Sequence, residues 1–306
     1  MQPGQTGVCA TAGWVRKPFI SKSYIAISKK SLVIYGALRT VTAMPDVAII
    51  FAGFAVGLIV GLTGVGGGSL MTPILIFFFG VKPYLAVGTD LLFAAFTKLG
   101  GTVSLARQGL VPWRVVGQLC AGSIPAAVAT LGVLHALGPA SPTVQSLMTS
   151  TLGVALLLTA AAMLYKAARG RQLRRTLPDD ELAKASHARH WSLPVIFGAV
   201  IGTLVTLTSV GAGAIGVSVL LLLFPLLPLP RIVAADIAYA VPLTLVAGLG
   251  HASLGSVDWP LLGQLLAGSL PGIWLGTRLM RHTPERLVRS ALSVLLAYAG
   301  LKLITL

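Results

Sequence analysis

Charge is what this chain has least of. Only 10% of its 306 residues are Asp, Glu, Lys or Arg, against about 25% in a soluble domain, which excludes an ordinary water-facing surface. Cysteine is nearly absent, and Cys9 and Cys120 lie far apart, so there is no disulfide framework and no metal-ligand spacing. The chain holds no H-E-x-x-H, no G-x-S-x-G and no Walker loop. It therefore offers none of these signatures of an enzyme, and no cofactor is expected. Ten-residue segments of alternating hydrophobicity are also missing, which argues against a membrane β-barrel. Acids are outnumbered, leaving a net charge of +15. No basic face with interleaved aromatics exists to follow phosphates, however, so no nucleic-acid partner is expected.

What the chain has instead is apolar length. Hydrophobic residues make up 55% of it and glycine contributes 35 positions. Several runs approach or exceed the roughly 20 residues that cross a bilayer as a helix, and membrane helices tolerate glycine and proline better than soluble ones do. The expected surroundings are a lipid bilayer. Residues 1–43 stand apart: they are acid-free and carry Arg16, Lys17, Lys22, Lys29, Lys30 and Arg39. They read either as a targeting-like segment or as the product of a start assigned too far upstream, with Met44 opening the protein proper. The second reading is preferred, because Met44-Pro45-Asp46 leads directly into an apolar run.

The chain repeats itself. Gly117-Gln118-Leu119-Cys120-Ala121-Gly122-Ser123-Ile124-Pro125 recurs 146 residues on (Gly117 to Gly263) as Gly263-Gln264-Leu265-Leu266-Ala267-Gly268-Ser269-Leu270-Pro271. Trp113 and Trp259, Gly109 and Gly255, and Asp90 and Asp236 keep the same offset. Upstream the register shifts by one residue. There Gly53, Gly57 and Gly61 match Gly198, Gly202 and Thr206, and the stretch Thr63 to Gly68 matches Thr208 to Gly213. The expected architecture is an all-α polytopic membrane protein of two homologous repeats, 44–168 and 192–306, joined by a polar loop at 169–191. Each repeat would hold three long transmembrane helices plus a glycine-broken pair of short helices, giving 8–10 membrane segments.

The cations suggest how the repeats sit. Arg107, Arg114, the group Arg169 to Arg175, Arg231 and the group Arg278 to Arg289 alternate with cation-free stretches at 138–142 and 248–257. Positive charge marks the inner side of a membrane protein, and the pattern fits two repeats inserted in opposite orientations, with Lys82 as a misfit. Inverted repeats with paired broken helices are a signature of secondary transporters, whose sites lie near the midplane between repeats. The short pairs either span separately or re-enter, and charge does not separate these two cases.

Two kinds of residue are candidates for a site. Gly64, Gly66, Gly67 and Gly68, echoed by Gly211 and Gly213, break a helix and open a new one, which would present backbone N–H groups and a positive dipole end to an anion. Close helix packing is the competing reading for small residues, and it is favoured for Gly53, Gly57 and Gly61. The stretch 211–216 also fits a dinucleotide fingerprint, but that fingerprint needs a preceding strand and is set aside. Asp90 and Lys98 sit inside one apolar run and Asp236 inside its match. Ionisable residues at membrane depth usually serve function. Lys98 would then be the counter-charge of an anion or of Asp236, while Asp90 or Asp236 would carry a coupling proton or balance Lys98. The alternative places Asp90 as a helix cap and Lys98 snorkelling to the interface. Thr89 is a further candidate contact. Tyr239, Thr244 and His251 are weaker ones, and His251, near a segment end, reads as interfacial.

Taken together, Val65-Gly66-Gly67-Gly68, Val87-Gly88-Thr89-Asp90 with Lys98 following, Gly109-Leu110-Val111-Pro112-Trp113 and Gly122-Ser123-Ile124-Pro125 resemble the sulfite exporter TauE/SafE family from about residue 46 onward. The resemblance implies a multi-pass protein of a bacterial inner membrane that moves sulfite, sulfonates, sulfoacetate or a related small organic anion. In the second half Ser209 and Ala212 dilute the glycine cluster and Thr244 replaces Lys98, so the first half is weighted more heavily as a site. The expected function is secondary transport of a small anion, with a homo-oligomer left open. The rivals are a passive anion channel and a non-transporting membrane assembly or sensor protein.

Overall fold

Proline starts the long helices and glycine ends them. In the computed structural model, which describes residues 47–62, 68–169, 192–224, 227–279 and 285–304, ten helices follow one another without a strand among the described residues. They are α1 (Val47–Leu62), α2 (Gly68–Phe79), α3 (Pro83–Arg107), α4 (Trp113–Leu137), α5 (Pro142–Arg169), α6 (Ser192–Thr208), α7 (Ala214–Leu223), α8 (Leu229–Ser253), α9 (Trp259–Leu279) and α10 (Glu285–Ile304). All lie in one compact unit, Val47–Leu306. The tail 1–43, nearly all of the loop 169–191, and Gly64, Gly66 and Gly67 fall outside the described residues.

Pro83 opens α3 and Pro142 opens α5, where the missing N–H costs no helix bond and the fixed φ is already helical. After α3 the chain turns through Gly109 at φ 68°, and after α8 through Gly255 at φ 69°. Both turns close alike: Leu110 N–H donates to the Leu105 carbonyl at 3.1 Å and Ser256 N–H to that of His251 at 2.9 Å. The matched glycines of the sequence thus make matched helix ends. Helices α4 and α9 continue through Pro125 and Pro271.

Helix lengths differ between the longest and the shortest elements. Helices α3, α4 and α8 have 25 residues each, and α5 has 28. At about 1.5 Å per residue these exceed the roughly 30 Å hydrocarbon core. By contrast α2 has 12 residues and α7 has 10, about 18 and 15 Å, enough for roughly half the core. The second helix of each half is therefore too short to cross by itself.

Packing pairs elements across the two halves. Helix α6 lies against α4 and α1 against α9, with backbones nearly touching at glycine. A Cβ on Gly202 would stand 2.7 Å from the Ser123 Cα, and one on Gly57 would stand 2.7 Å from the Ser269 Cα. Gly198 faces Leu119 as Gly53 faces Leu265. These contacts advance together along both chains, so each pair runs parallel. Helices α3 and α8 run antiparallel instead, with Gly88 against His251, Leu92 against Gly248, and Thr102 against Ile237. Helices α5 and α10 meet at Gly153 and Gly300. Without a hydrophobic drive between helices in lipid, such small-residue seams let van der Waals contact hold the bundle.

Two apolar cores flank the centre. One gathers Val115, Leu119, Ile201, Val205, Ala235 and Leu243, the other Val56, Met71, Phe93, Leu152, Leu265 and Leu296. Outside them Phe51, Phe78, Phe96, Leu222 and Tyr298 are all more than half exposed. An apolar exterior this extensive belongs in lipid rather than water.

Candidate functional site

Between the two cores lies a polar centre. Among the described residues, the buried side chains with formal charge are Asp90, Lys98 and Asp236, at 0%, 6% and 2% exposure. Asp90 and Lys98 lie two turns apart on α3 and Asp236 lies on α8. Asp90 caps no helix: it is eight residues into α3 and fully enclosed. Lys98 does not snorkel either. Its ammonium turns inward and donates to the Ala212 carbonyl at 3.3 Å, and it interacts electrostatically with both Asp236 and Asp90. If all three are ionised, the centre carries one net negative charge.

The second half's break forms one wall. Helix α6 ends at Thr208, and Ser209, Gly211 and Gly213 take φ values of 59°, 136° and 136° before α7 starts. Those angles suit glycine, which explains two of the three residues. The Thr208 hydroxyl accepts a hydrogen bond from Val210 N–H at 3.1 Å and lies 2.7 Å from the Leu204 carbonyl, clamping the turn. The new helix is seeded by Gly216 N–H on the Gly211 carbonyl and Val217 N–H on that of Gly213, at 3.0 and 2.9 Å. Ser209 lies within reach of the Asp90 carboxylate, its hydroxyl closing no well-formed hydrogen bond.

Each carboxylate packs against its own half's short helix. Thr72, the fifth residue of α2, donates its hydroxyl to the Asp90 Oδ2. Asp236 presses its Oδ1 against Gly216, the third residue of α7, where no Cβ would fit, and the Tyr239 hydroxyl would stand 2.9 Å from that Cβ. A helix N-terminus attracts negative charge, so Asp236, against the first turn of α7, sits where an anionic ligand would be drawn. The Asp90 Oδ1 and the Tyr239 hydroxyl have no hydrogen-bond partner. Buried polar atoms seldom stay unpaired without a functional reason.

The other sequence candidates fall as follows. Gly68 opens α2, and Gly211 and Gly213 shape the break beside Lys98. The Thr89 hydroxyl, fully buried, accepts a hydrogen bond from Asp258 N–H at 3.0 Å, while the Asp258 carboxylate accepts one from Leu261 N–H at 3.1 Å at the start of α9. Thr244 returns its hydroxyl to the Ala240 carbonyl at 2.7 Å. His251, expected at an interface, is instead fully buried, its Nε2 3.0 Å from the Thr206 carbonyl. Thr72 was invisible in the sequence, being one hydroxyl in an apolar run whose fold partner lies 18 residues away. Ser209 had a signal of its own, a serine where the repeat otherwise carries Gly64.

A lipid-facing exterior, helices long and apolar enough to cross a bilayer and a buried centre of three charges define a helical membrane protein. The chain belongs to the sulfite exporter TauE/SafE family, whose profile matches residues 49–303. It is 38% identical over 260 residues to the probable membrane transporter protein YjnA of Bacillus subtilis (strain 168), covering 85% of this chain and 100% of that one. It is 25% identical over 256 residues to YdhB of the same organism, also described as a probable membrane transporter protein (84% and 99% covered). A probable membrane transporter protein of Xylella fastidiosa (strain 9a5c) is 26% identical over 240 residues (76% and 84%). No solved structure matches the chain.

Proposed function

We propose that the protein is a secondary transporter that carries a small anion, of the sulfite, sulfonate or sulfoacetate class, across the bacterial inner membrane. Family membership and relatives described as membrane transporters support the general reading. The observation that carries the specific one is the enclosed centre of Asp90, Lys98 and Asp236, where the first half's α3 meets the second half's break. Alternating access between two inverted repeats, 44–168 and 192–306, is supported by helix direction. The matched helices α3 and α8 run antiparallel, and the first helix of each half runs parallel to the fourth of the other. An odd number of crossings per half produces that pattern.

The carboxylates supply the coupling in this reading. While Asp90 and Asp236 are ionised they give the centre its net negative charge, so an anion is repelled. A proton on either one brings the centre to neutrality, so an anion is no longer repelled and Lys98 can attract it. Anion and proton then travel together.

The test is uptake of radiolabelled sulfite and a panel of sulfonates into proteoliposomes, with and without a pH gradient. Saturable uptake with counterflow, enhanced by a gradient acid on the side of the anion, is expected. Non-saturable flux without counterflow would mark a passive channel. Folded protein that moves no anion of the panel would remove sulfur oxyanions as the substrate.

A further inference from the structure

Ser209 stands at a backbone position that glycine would fill without strain. Among the described residues it is the one non-glycine with a positive φ, at 59°, and the repeat places Gly64 at the corresponding position. Strained backbone of this kind persists where the surroundings over-determine it and clusters at binding sites. The side chain adds an independent observation. It is 4% exposed, and its hydroxyl closes no well-formed hydrogen bond. A glycine would relieve the backbone and remove a hydroxyl that closes no well-formed hydrogen bond, so backbone geometry does not account for serine; what the hydroxyl has nearby is the Asp90 carboxylate. Shaping the break does not require it either, because Thr208 already clamps the turn.

Its neighbours point one way. Ser209 lies within reach of the Asp90 carboxylate, whose Oδ1 likewise closes no well-formed hydrogen bond. Three residues on, the Ala212 carbonyl holds the Lys98 ammonium. Asp236 and the Tyr239 hydroxyl face the same centre from α8 against Gly216. We propose that Ser209 contacts the substrate, its hydroxyl donating a hydrogen bond to one oxygen of an anion held jointly by Lys98 and the protonated Asp90. This rests on the anion-transport reading above. Three donors arriving from a break and a crossing helix suit an oxyanion with several acceptor oxygens, such as sulfite, better than a halide.

Two variants separate a ligand role from a structural one. Ser209→Gly removes the hydroxyl and the strain; Ser209→Ala removes the hydroxyl and keeps the Cβ. Both are reconstituted as full-length protein, assayed for radiolabelled sulfite uptake and melted in detergent. The expected result is a KM for sulfite raised about tenfold in both, with the melting temperature at or above that of the parent in Ser209→Gly and at or below it in Ser209→Ala. An unchanged KM in Ser209→Gly, beside a parent that transports sulfite, overturns the inference alone. So does a Ser209→Gly protein that no longer folds, since the serine would then be holding the backbone. A parent protein that moves no anion overturns the transport reading and this inference with it.

Discussion

Replacing Lys98 by methionine keeps the length of the side chain and removes its charge. The parent centre holds two carboxylates and one ammonium, all at least 94% enclosed; the variant leaves two carboxylates with no buried cation among the described residues. The lost hydrogen bond to the Ala212 carbonyl is worth about 1.5–3 kcal/mol for a charged donor. Stripping one partner from a buried charged group costs about 3–5 kcal/mol. Both figures describe the same ammonium and overlap rather than add, so Lys98→Met should lose about 3–5 kcal/mol. That is a large share of the 5–15 kcal/mol by which proteins are commonly stable. Denaturant unfolding in mild detergent, followed by tryptophan fluorescence, measures it. Adding Asp236→Asn removes one of the stranded charges and should restore about half of the loss, while sulfite uptake stays at background in both variants. A Lys98→Met protein as stable as its parent, or a double variant no more stable than the single one, would show that the three charges do not act as one unit. Surviving sulfite uptake would show that the ammonium is not the substrate's counter-charge.

Other consequences can be checked separately. Gly57→Ala and Gly202→Ala each force a Cβ to within 2.7 Å of a facing Cα and should each cost about 1–3 kcal/mol of overpacking; melting curves that differ widely between the two would argue against equivalent seams. In a protein lacking Cys9 and Cys120, cysteines at the exposed positions Gln108 and Ser253 should react with an impermeant maleimide from opposite membrane faces, and labelling from one face would contradict inverted repeats. His251→Leu strips a buried hydrogen bond from the Thr206 carbonyl and should lower stability by about 1–3 kcal/mol while uptake keeps its response to a pH gradient. Loss of that response in a fully stable variant would make His251 a proton relay.

Much of the architecture was legible because it is written in one dimension. Apolar run length reports the solvent, and matched motifs recur 146 residues apart, from Gly117 to Gly263. Gly109 and Gly255 stood out only by keeping the same offset, and the fold gives both a positive φ at a helix end. The three charges stood out because lipid makes them costly. Distance was what the sequence could not supply. It allowed Asp90 as a helix cap and His251 as an interfacial residue, and the fold encloses both. The short pairs were open between spanning and re-entering, and the lengths of α2 and α7 decide that neither crosses alone.

By itself, then, the sequence determined that this is a helical membrane protein with a few costly charges that must find partners. It did not determine which partners, because the energy of a buried charge depends on atoms brought close by folding and not on neighbours in the chain. Only the tertiary structure placed Lys98 on the carbonyl of the other half's break, Thr72 on Asp90 and Ser209 beside it. It did so through glycine seams that let α1 and α9, and α6 and α4, approach until their backbones touch.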